Sequence, residues 1–369
     1  MPRDLVYKSY ILKLRPLTPI HVWSGRRLVY GLDIIKHGDR ACIVDFEKLP
    51  QDVIDRLLGV KAEEMTKVME SYASTLPCSE DVKLMALPPS GTRINELAKH
   101  VVPGSSLKGY TRTAVMYAML KGLGPVNDVR KVLSSAVNLA ADPRNMSQGL
   151  EGYSFRAPRP GKQRGFVDSF QQLIVSDPIV SLGRNCLSVE KFEVYELPAM
   201  VNIASQYVVA VLCGELTYNM KILVKSVEPN NITPLASEHS QVLERLALLQ
   251  KDNIVLESLK TFGCDLVKYE IERVKGVRRL EQYIQLLEAF AKRYCEQQTN
   301  CIIARIGYMT GLRSKTVISI VKSVDSALYN RIRERMKQQL NHEWDELTIK
   351  LVNFSGKLVG VGWCELCLS

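Results

Sequence analysis

The run Val102-Pro103-Gly104-Ser105-Ser106-Leu107-Lys108-Gly109 leads directly into Tyr110-Thr111-Arg112-Thr113-Ala114-Val115-Met116-Tyr117. It describes an extended segment that turns at Pro-Gly and opens a helix whose first turn carries two serines and a lysine. The start of a helix leaves backbone N–H groups without intrahelical partners at the positive end of the dipole, so it can hold an anion such as phosphate. Lys108 and Arg112, four residues apart, share one helix face close to that position. Taken alone, the run is also a plain N-cap, with Ser105 or Ser106 as the capping residue.

Working outward, the setting favours the anion. The chain has 369 residues with 49 Lys and Arg against 39 Asp and Glu, a formal charge of +10. Four stretches contain no acid: Leu5–Leu32, Val101–Asn127, Gly152–Val167 and Gln297–Val324. Together they carry 16 basic side chains, so the excess positive charge belongs to them and the remainder is mildly acidic. Segregation of this kind suits a surface for a polyanion. With 46% apolar and 24% charged residues, the composition is that of a folded globular chain. No apolar run reaches the length of about 18 residues that spans a membrane, and no export leader is visible, so a cytoplasmic protein is expected. Nine scattered cysteines, an odd number, then suggest reduced thiols. Cys364-Glu365-Leu366-Cys367 is a lone CxxC with no second pair, so neither a metal nor another cofactor is expected.

Alternation predicts strands at Val6–Thr18, 29–35 paired with 41–46 about His37-Gly38-Asp39, 170–176, 187–195, 206–213, 218–224, 347–354 and 358–368. Helical spacing covers 51–72, the segment opened by Pro103-Gly104 as far as Lys121, 128–139, 241–262, 280–297 and 328–340. Residues 76–91 and the Pro/Gly-rich 152–165 read as loops. Strands at both ends imply a tail that returns to a sheet begun near the N-terminus. The expected fold is α+β, one discontinuous core with helical insertions. Residues 1–225 would form the core, with insertions at about 50–100 and 122–166. Residues 226–369 would supply a helical segment, a late glycine-rich loop and the returning strands.

Two further glycine motifs lie in the acid-free stretches. In Leu17-Thr-Pro-Ile-His21-Val-Trp23-Ser24-Gly25-Arg26-Arg27, Gly25 permits close backbone approach, the arginines pair with phosphate, and Trp23 or His21 offers a stacking face. In Ala304-Arg305-Ile-Gly307-Tyr308-Met-Thr-Gly311-Leu-Arg313-Ser314-Lys315-Thr316, a glycine-rich loop precedes an apolar stretch, as at an anion-holding helix start. Ser314 stands where a Walker loop needs glycine before its lysine, which excludes an NTPase site. Hydrolytic chemistry has few candidates. His21 and His100 are the histidines near the glycine motifs, and Asp33 is a single carboxylate after the first of them.

These residues, in this order, resemble the RAMP superfamily of CRISPR-associated RNA-binding proteins. Thr18-Pro-Ile-His21-Val-Trp-Ser-Gly25, Val102 through Gly109 with Arg112, and Arg305-Ile-Gly307…Gly311…Ser314-Lys315-Thr316 carry the likeness. Ile174-Val-Ser176-Asp177-Pro178-Ile and Gly356-Lys-Leu-Val-Gly360-Val-Gly362-Trp363 support it. The combination is most similar to the Csm-type (III-A or III-D) subunit that caps the 3′ end of the CRISPR RNA. The resemblance implies an RRM/ferredoxin-like core, no cofactor, and a ribonucleoprotein containing crRNA, target RNA and other RAMP subunits. It implies RNA-binding roles for Ser24, Gly25, Gly104, Ser105, Ser106, Lys108, Arg112, Arg305, Gly307, Gly311, Lys315 and Thr316. The charge pattern adds Arg26, Arg27, Arg156, Arg159, Lys162, Arg164 and Arg313. Relatives that slice target RNA use an Asp in the loop after the first motif. Asp33, inside Gly31-Leu-Asp-Ile-Ile, reads as strand, so a non-catalytic subunit is expected. The alternatives are a RAMP ribonuclease using Asp33, His21 or His100, and a protein-interaction scaffold.

Overall fold

The computed structural model describes residues 6–123, 128–139, 147–158, 166–183, 185–225, 254–340 and 347–368. The N-terminal strand β1 (Val6–Pro16) follows the period of two. Leu12 and Leu14 point inward and are almost fully buried, whereas Tyr7, Ser9 and Ile11 face out. After it come β2 (Trp23–Val29), β3 (Ile34–His37), β4 (Arg40–Val44), β5 (Cys78–Leu84), β6 (Arg93–Leu97), β7 (Arg156–Pro158) and β8 (Phe166–Asp168). Strands β9 (Leu173–Val175), β10 (Ile179–Ser181), β11 (Leu187–Glu196), β12 (Val201–Val211) and β13 (Glu215–Lys225) complete the first part. Beyond residue 254 lie β14 (Cys301–Arg305), β15 (Thr348–Phe354), β16 (Lys357–Gly360) and β17 (Trp363–Leu368).

The class is α+β, as expected. One antiparallel sheet has the order β10-β13-β1-β17-β14, with β9 also on β13. A second runs β2-β6-β12-β11-β5-β4-β3, with β15 also on β11 and β16 on the far side of β15. The last strand thus pairs with the first, Leu14 opposite Leu366. A single apolar core joins Leu12 and Leu14 of one sheet to Phe192, Val208 and Val211 of the other. Helix Gly104–Ala118 and helix Ile254–Val274 pack on each other within that core, and Phe262 meets the rings of Tyr110 and Tyr117 at 5.4 and 5.0 Å. Gly263 is required there, because a Cβ would lie 1.8 Å from the carbonyl oxygen of Ile303 on β14. A small satellite core (Ile35, Cys42, Val44, Val53, Met69 and Leu76) sits under the first insertion.

Several local expectations are corrected. Residues 51–72 form two helices, Gln51–Leu58 and Met65–Ser71, separated at Gly59. The supposed loop 76–91 contains β5, recruited by pairing with β4 and β11. Part of the supposed loop 152–165 is the end of helix Gln148–Phe155 and then β7, paired with β8. The predicted helix 241–262 is described only from Ile254, and runs on to Val274.

The cysteines are not reduced thiols. Cys42–Cys78, Cys186–Cys213, Cys264–Cys295 and Cys301–Cys367 are disulfides, and buried Cys364 alone is free. Spacing along the chain concealed this, because every partner lies 27 or more residues away. The CxxC is not a unit either, since Cys364 and Cys367 lie on opposite faces of β17. Alkylation of the denatured, unreduced chain followed by mass spectrometry is expected to mark one thiol. A disulfide contributes roughly 2–4 kcal/mol. Reduction is therefore expected to lower the melting temperature by at least about 10 °C.

Candidate nucleic-acid interface

The three glycine motifs meet in one cleft of about 430 Å³. It is lined by Trp23 of the first motif, Ser106, Gly109 and Tyr110 of the second, and Gly307, Tyr308 and Lys315 of the third, with no carboxylate among its lining residues. Backbone hydrogen bonds lock the first and third motifs together. The Tyr308 N–H donates to His21 O at 2.6 Å, Gly362 N–H to Pro19 O at 2.9 Å, and Ile306 N–H to Gly362 O at 2.8 Å. Gly307 has φ +116°, and a Cβ there would lie 2.6 Å from His21 O, so only glycine allows this crossing. Trp23 and Tyr308 stand at the mouth with ring centroids 6.3 Å apart. Trp23 is 39% exposed. Its indole N–H is used internally, donating to Arg26 O at 2.7 Å, which leaves the ring face as its outward contact.

The opening run behaves differently from its sequence reading. Helix Gly104–Ala118 is capped by Pro103, not by Ser105 or Ser106. The Gly104 N–H donates to the Asp177 carboxylate at 2.9 Å, so a residue of the Ser176-Asp177 segment already occupies the first turn. Gly104 is buried, and a Cβ would lie 2.2 Å from Ser176 O, so its glycine serves internal packing. Exposed Ser105 and half-buried Ser106 flank that contact. At about 100° per residue, Lys108 is turned roughly 200° from Ser106 around the helix, away from the cleft. Lys108 and Arg112 instead join a second cluster. Arg112 donates to Asp168 at 2.9 Å and Glu151 at 3.3 Å, and lies 4.5 Å from the Phe155 ring centroid. Arg156 borders the same two carboxylates, at 3.8 and 4.0 Å. Partial burial lowers the Lys108 pKa, with Arg112 adding repulsion.

Ser24 donates to Glu96 at 2.7 Å, and the Arg26 guanidinium lies 3.7 Å from the same carboxylate. Acid absent from the stretch in sequence therefore reaches it from β6. Gly25, at φ +96°, has open space where a Cβ would be. Exposed Arg27 lies 5.6 Å from the Trp23 ring centroid, beside the mouth. Arg305 is corrected from an RNA contact to an internal anchor. It is 6% exposed, donates to Glu270 at 2.9 Å and to Val361 O at 3.1 Å, and lies 5.0 Å from the Trp363 ring centroid. Half-buried Thr316 donates its hydroxyl to Leu312 O at 2.9 Å and does not line the cleft. The helix after the late loop, Ile318–Val324, has only seven residues. Gly311 shapes the loop at φ +91°, and Arg313 stacks 3.7 Å from the Tyr269 ring centroid. Lys315 remains exposed at the cleft rim. Arg159, Lys162 and Arg164 lie outside the described residues.

The candidate catalysts are placed elsewhere. His21 is 1% exposed and its Nδ1 lies 2.8 Å from Val209 O; burial pushes its pKa down to about 4, so it is neutral at pH 7. Asp33 ends a turn rather than lying in a strand, and its carboxylate accepts the Val29 N–H at 2.6 Å. His100 lies 3.7 Å from Asp177 at the helix start. Cys301, Glu365 and Cys367 cluster closely, but both sulfurs are committed to their disulfide.

No family model and no curated protein matches the sequence. Solved structures do match the fold. A chain in the cryo-EM structure of a Csm–crRNA–target RNA ternary complex of a type III-A CRISPR-Cas system is 22% identical with a TM-score of 0.68, covering 98% of this chain and 100% of that one. The crystal structure of T. onnurineus Csm5 is 20% identical with a TM-score of 0.62, covering 95% and 99% respectively. The chain has the fold of these Csm proteins along nearly its whole length, in agreement with the RAMP resemblance of its motifs.

The two kinds of cation separate experimentally. Arg305→Ala leaves Glu270 charged and buried and is expected to cost about 3–5 kcal/mol in chemical denaturation. Lys315→Ala is expected to change stability by less than about 0.5 kcal/mol.

Proposed function

We propose that this chain is a non-catalytic RNA-binding subunit of a type III CRISPR effector ribonucleoprotein, holding the 3′ region of the guide RNA at the end of the filament of backbone subunits. The convergence of three sequence-distant motifs on one acid-free, aromatic-mouthed cleft carries this reading. Trp23 and Tyr308 supply stacking faces for unpaired bases. Lys315 and Arg27 supply cations for the backbone, and Ser106 and the exposed Gly109 allow a strand to lie close to the helix. The likeness to a chain from a Csm–crRNA–target RNA complex supports crRNA, target RNA and Csm-type subunits as its partners.

The positions of two candidate groups support the non-catalytic part of the proposal. His21 is enclosed, and Asp33 is spent on closing a turn. Neither lines the cleft. No described helix is long and apolar enough to cross a membrane, in keeping with a cytoplasmic assembly. Four disulfides in such a location are a feature shared with intracellular proteins of hyperthermophiles.

The test is single-stranded RNA binding by fluorescence anisotropy over a salt series. Affinity is expected to fall linearly in log–log form with salt. Trp23→Ala with Tyr308→Ala should weaken binding by roughly 10-fold or more, since stacking is worth about 1–3 kcal/mol per base. In the assembled complex, Asp33→Ala should leave every target cleavage position intact. Loss of one cleavage position would make the chain a slicer. Partner binding that survives nuclease treatment and the cleft substitutions, with no RNA bound, would make it a scaffold.

A further inference from the structure

Residues 297–340 hold eight Lys and Arg against two Asp and Glu, which is six of the chain's ten net positive charges. Helix Ser326–Leu340 carries four of the eight (Arg331, Arg333, Arg335 and Lys337) with a single acid, Glu334. The other acid, Asp325, caps the start of that helix, its carboxylate accepting the Leu328 N–H at 2.9 Å. Leu328 and Ile332 are buried and Met336 is half-buried, so these three form the seam that seats the helix on the body.

At about 100° per residue, Arg331 and Arg335 fall on one flank of that seam, and Arg333 and Lys337 on the other. Each flank is a pair of like charges four residues apart, which destabilises a helix standing alone. Arg331, Arg333 and Lys337 are exposed. Helix Val129–Ala136 adds a further cation at the start of the rows. Arg130 lies 3.7 Å from Asp325 with 71% of its side chain exposed. The Asp325 pKa is held down first by the Leu328 N–H and then by Arg130 and Arg331, so both arginines bear on one carboxylate.

This helix adjoins the cleft. A cavity of about 190 Å³ shares Thr113 and Lys315 with the cleft and is lined further on by Ile332 and Met336. Lys315 therefore borders both the cleft and the space beneath the helix. Between Ser326 and Gln338 no large apolar side chain is exposed, so this face lacks the apolar centre of a protein interface. Rows of cations about 6 Å apart along the axis suit a linear polyanion instead.

We propose that the two flanks of helix Ser326–Leu340, with Arg130 beside its start, form a second RNA surface. It receives the phosphate backbone of the strand once that strand has left the cleft past Lys315. This rests on the proposed function and extends it: the cleft orients the strand by its aromatic mouth, and the helix adds affinity that depends on strand length and not on sequence.

The experiment is fluorescence anisotropy of the full chain with two oligouridylates, one of about 6 and one of about 20 nucleotides, within the range of single-strand site sizes and beyond it. Salt is held near 0.15 M, where screening confines each charge to roughly 8 Å. Arg331→Gln with Arg333→Gln should weaken the long strand at least 10-fold and leave the short one within about twofold. For the long strand, the log–log salt slope should shrink by about 0.7 for each cation removed. Retention of the wild-type melting temperature checks the fold. Unchanged binding of both strands would overturn the second surface and leave the cleft reading intact. Equal weakening of both would also overturn it, by placing these arginines at the primary site. Polyglutamate bound through Arg331 and Arg333, with both RNAs unaffected, would make the helix a dock for an acidic protein and overturn its assignment to RNA. Failure of the wild type to bind either strand would remove the proposed function, and this surface with it.

Discussion

Everything near the cleft rests on one buried ion pair, Arg305 with Glu270. Arg305 ends β14, Glu270 lies on helix Ile254–Val274, and the guanidinium also holds Val361 O in the turn before β17. Tyr283 ties Glu270 to the Trp363 indole, so four separate segments of chain converge on two charges. Burying such a pair is costly, and its satisfied hydrogen bonds are what make it tolerable. Desolvation opposes the charge on Glu270, but the two arginines outweigh it and hold its pKa below the ordinary carboxylate value. From that anchor, the loop after β14 can cross His21 and place Tyr308 opposite Trp23.

The fold was legible where periodicity is undivided. β1, β13 and the helix after Pro103 are readable because each buries one face regularly, and β11 and the closing strands because they are short apolar runs, buried on consecutive residues, between turn signals. Strand β5 was not, because four of its seven residues are exposed and pairing with β4 and β11 decides its conformation. The disulfides were invisible for a related reason. Cys301 and Cys367 lie 66 residues apart and are brought together only by the register of β14 on β17.

The site was half legible. Glycines marked the three segments correctly as places where backbones approach closely, but much of that approach is between parts of the same chain. Gly104 meets Ser176, and Gly307 meets His21. The cations misled in the same direction. Arg305 and Arg112 read as ligands for an external anion, and both are bound to carboxylates distant in sequence: Glu270 for the first, Asp168 and Glu151 for the second. A stretch free of acid in sequence is not free of acid in space. What sequence could not reveal was the direction each side chain takes around the helix, which turns Ser106 toward the cleft and Lys108 away from it.

The central claim is that these three segments form one RNA surface, and hydrogen–deuterium exchange with and without single-stranded RNA tests it most directly. Simultaneous protection at residues 20–27, 104–113 and 305–316 is the outcome the account requires. Protection confined to one of them, or centred instead on the outer face of β1 and β13, would contradict it.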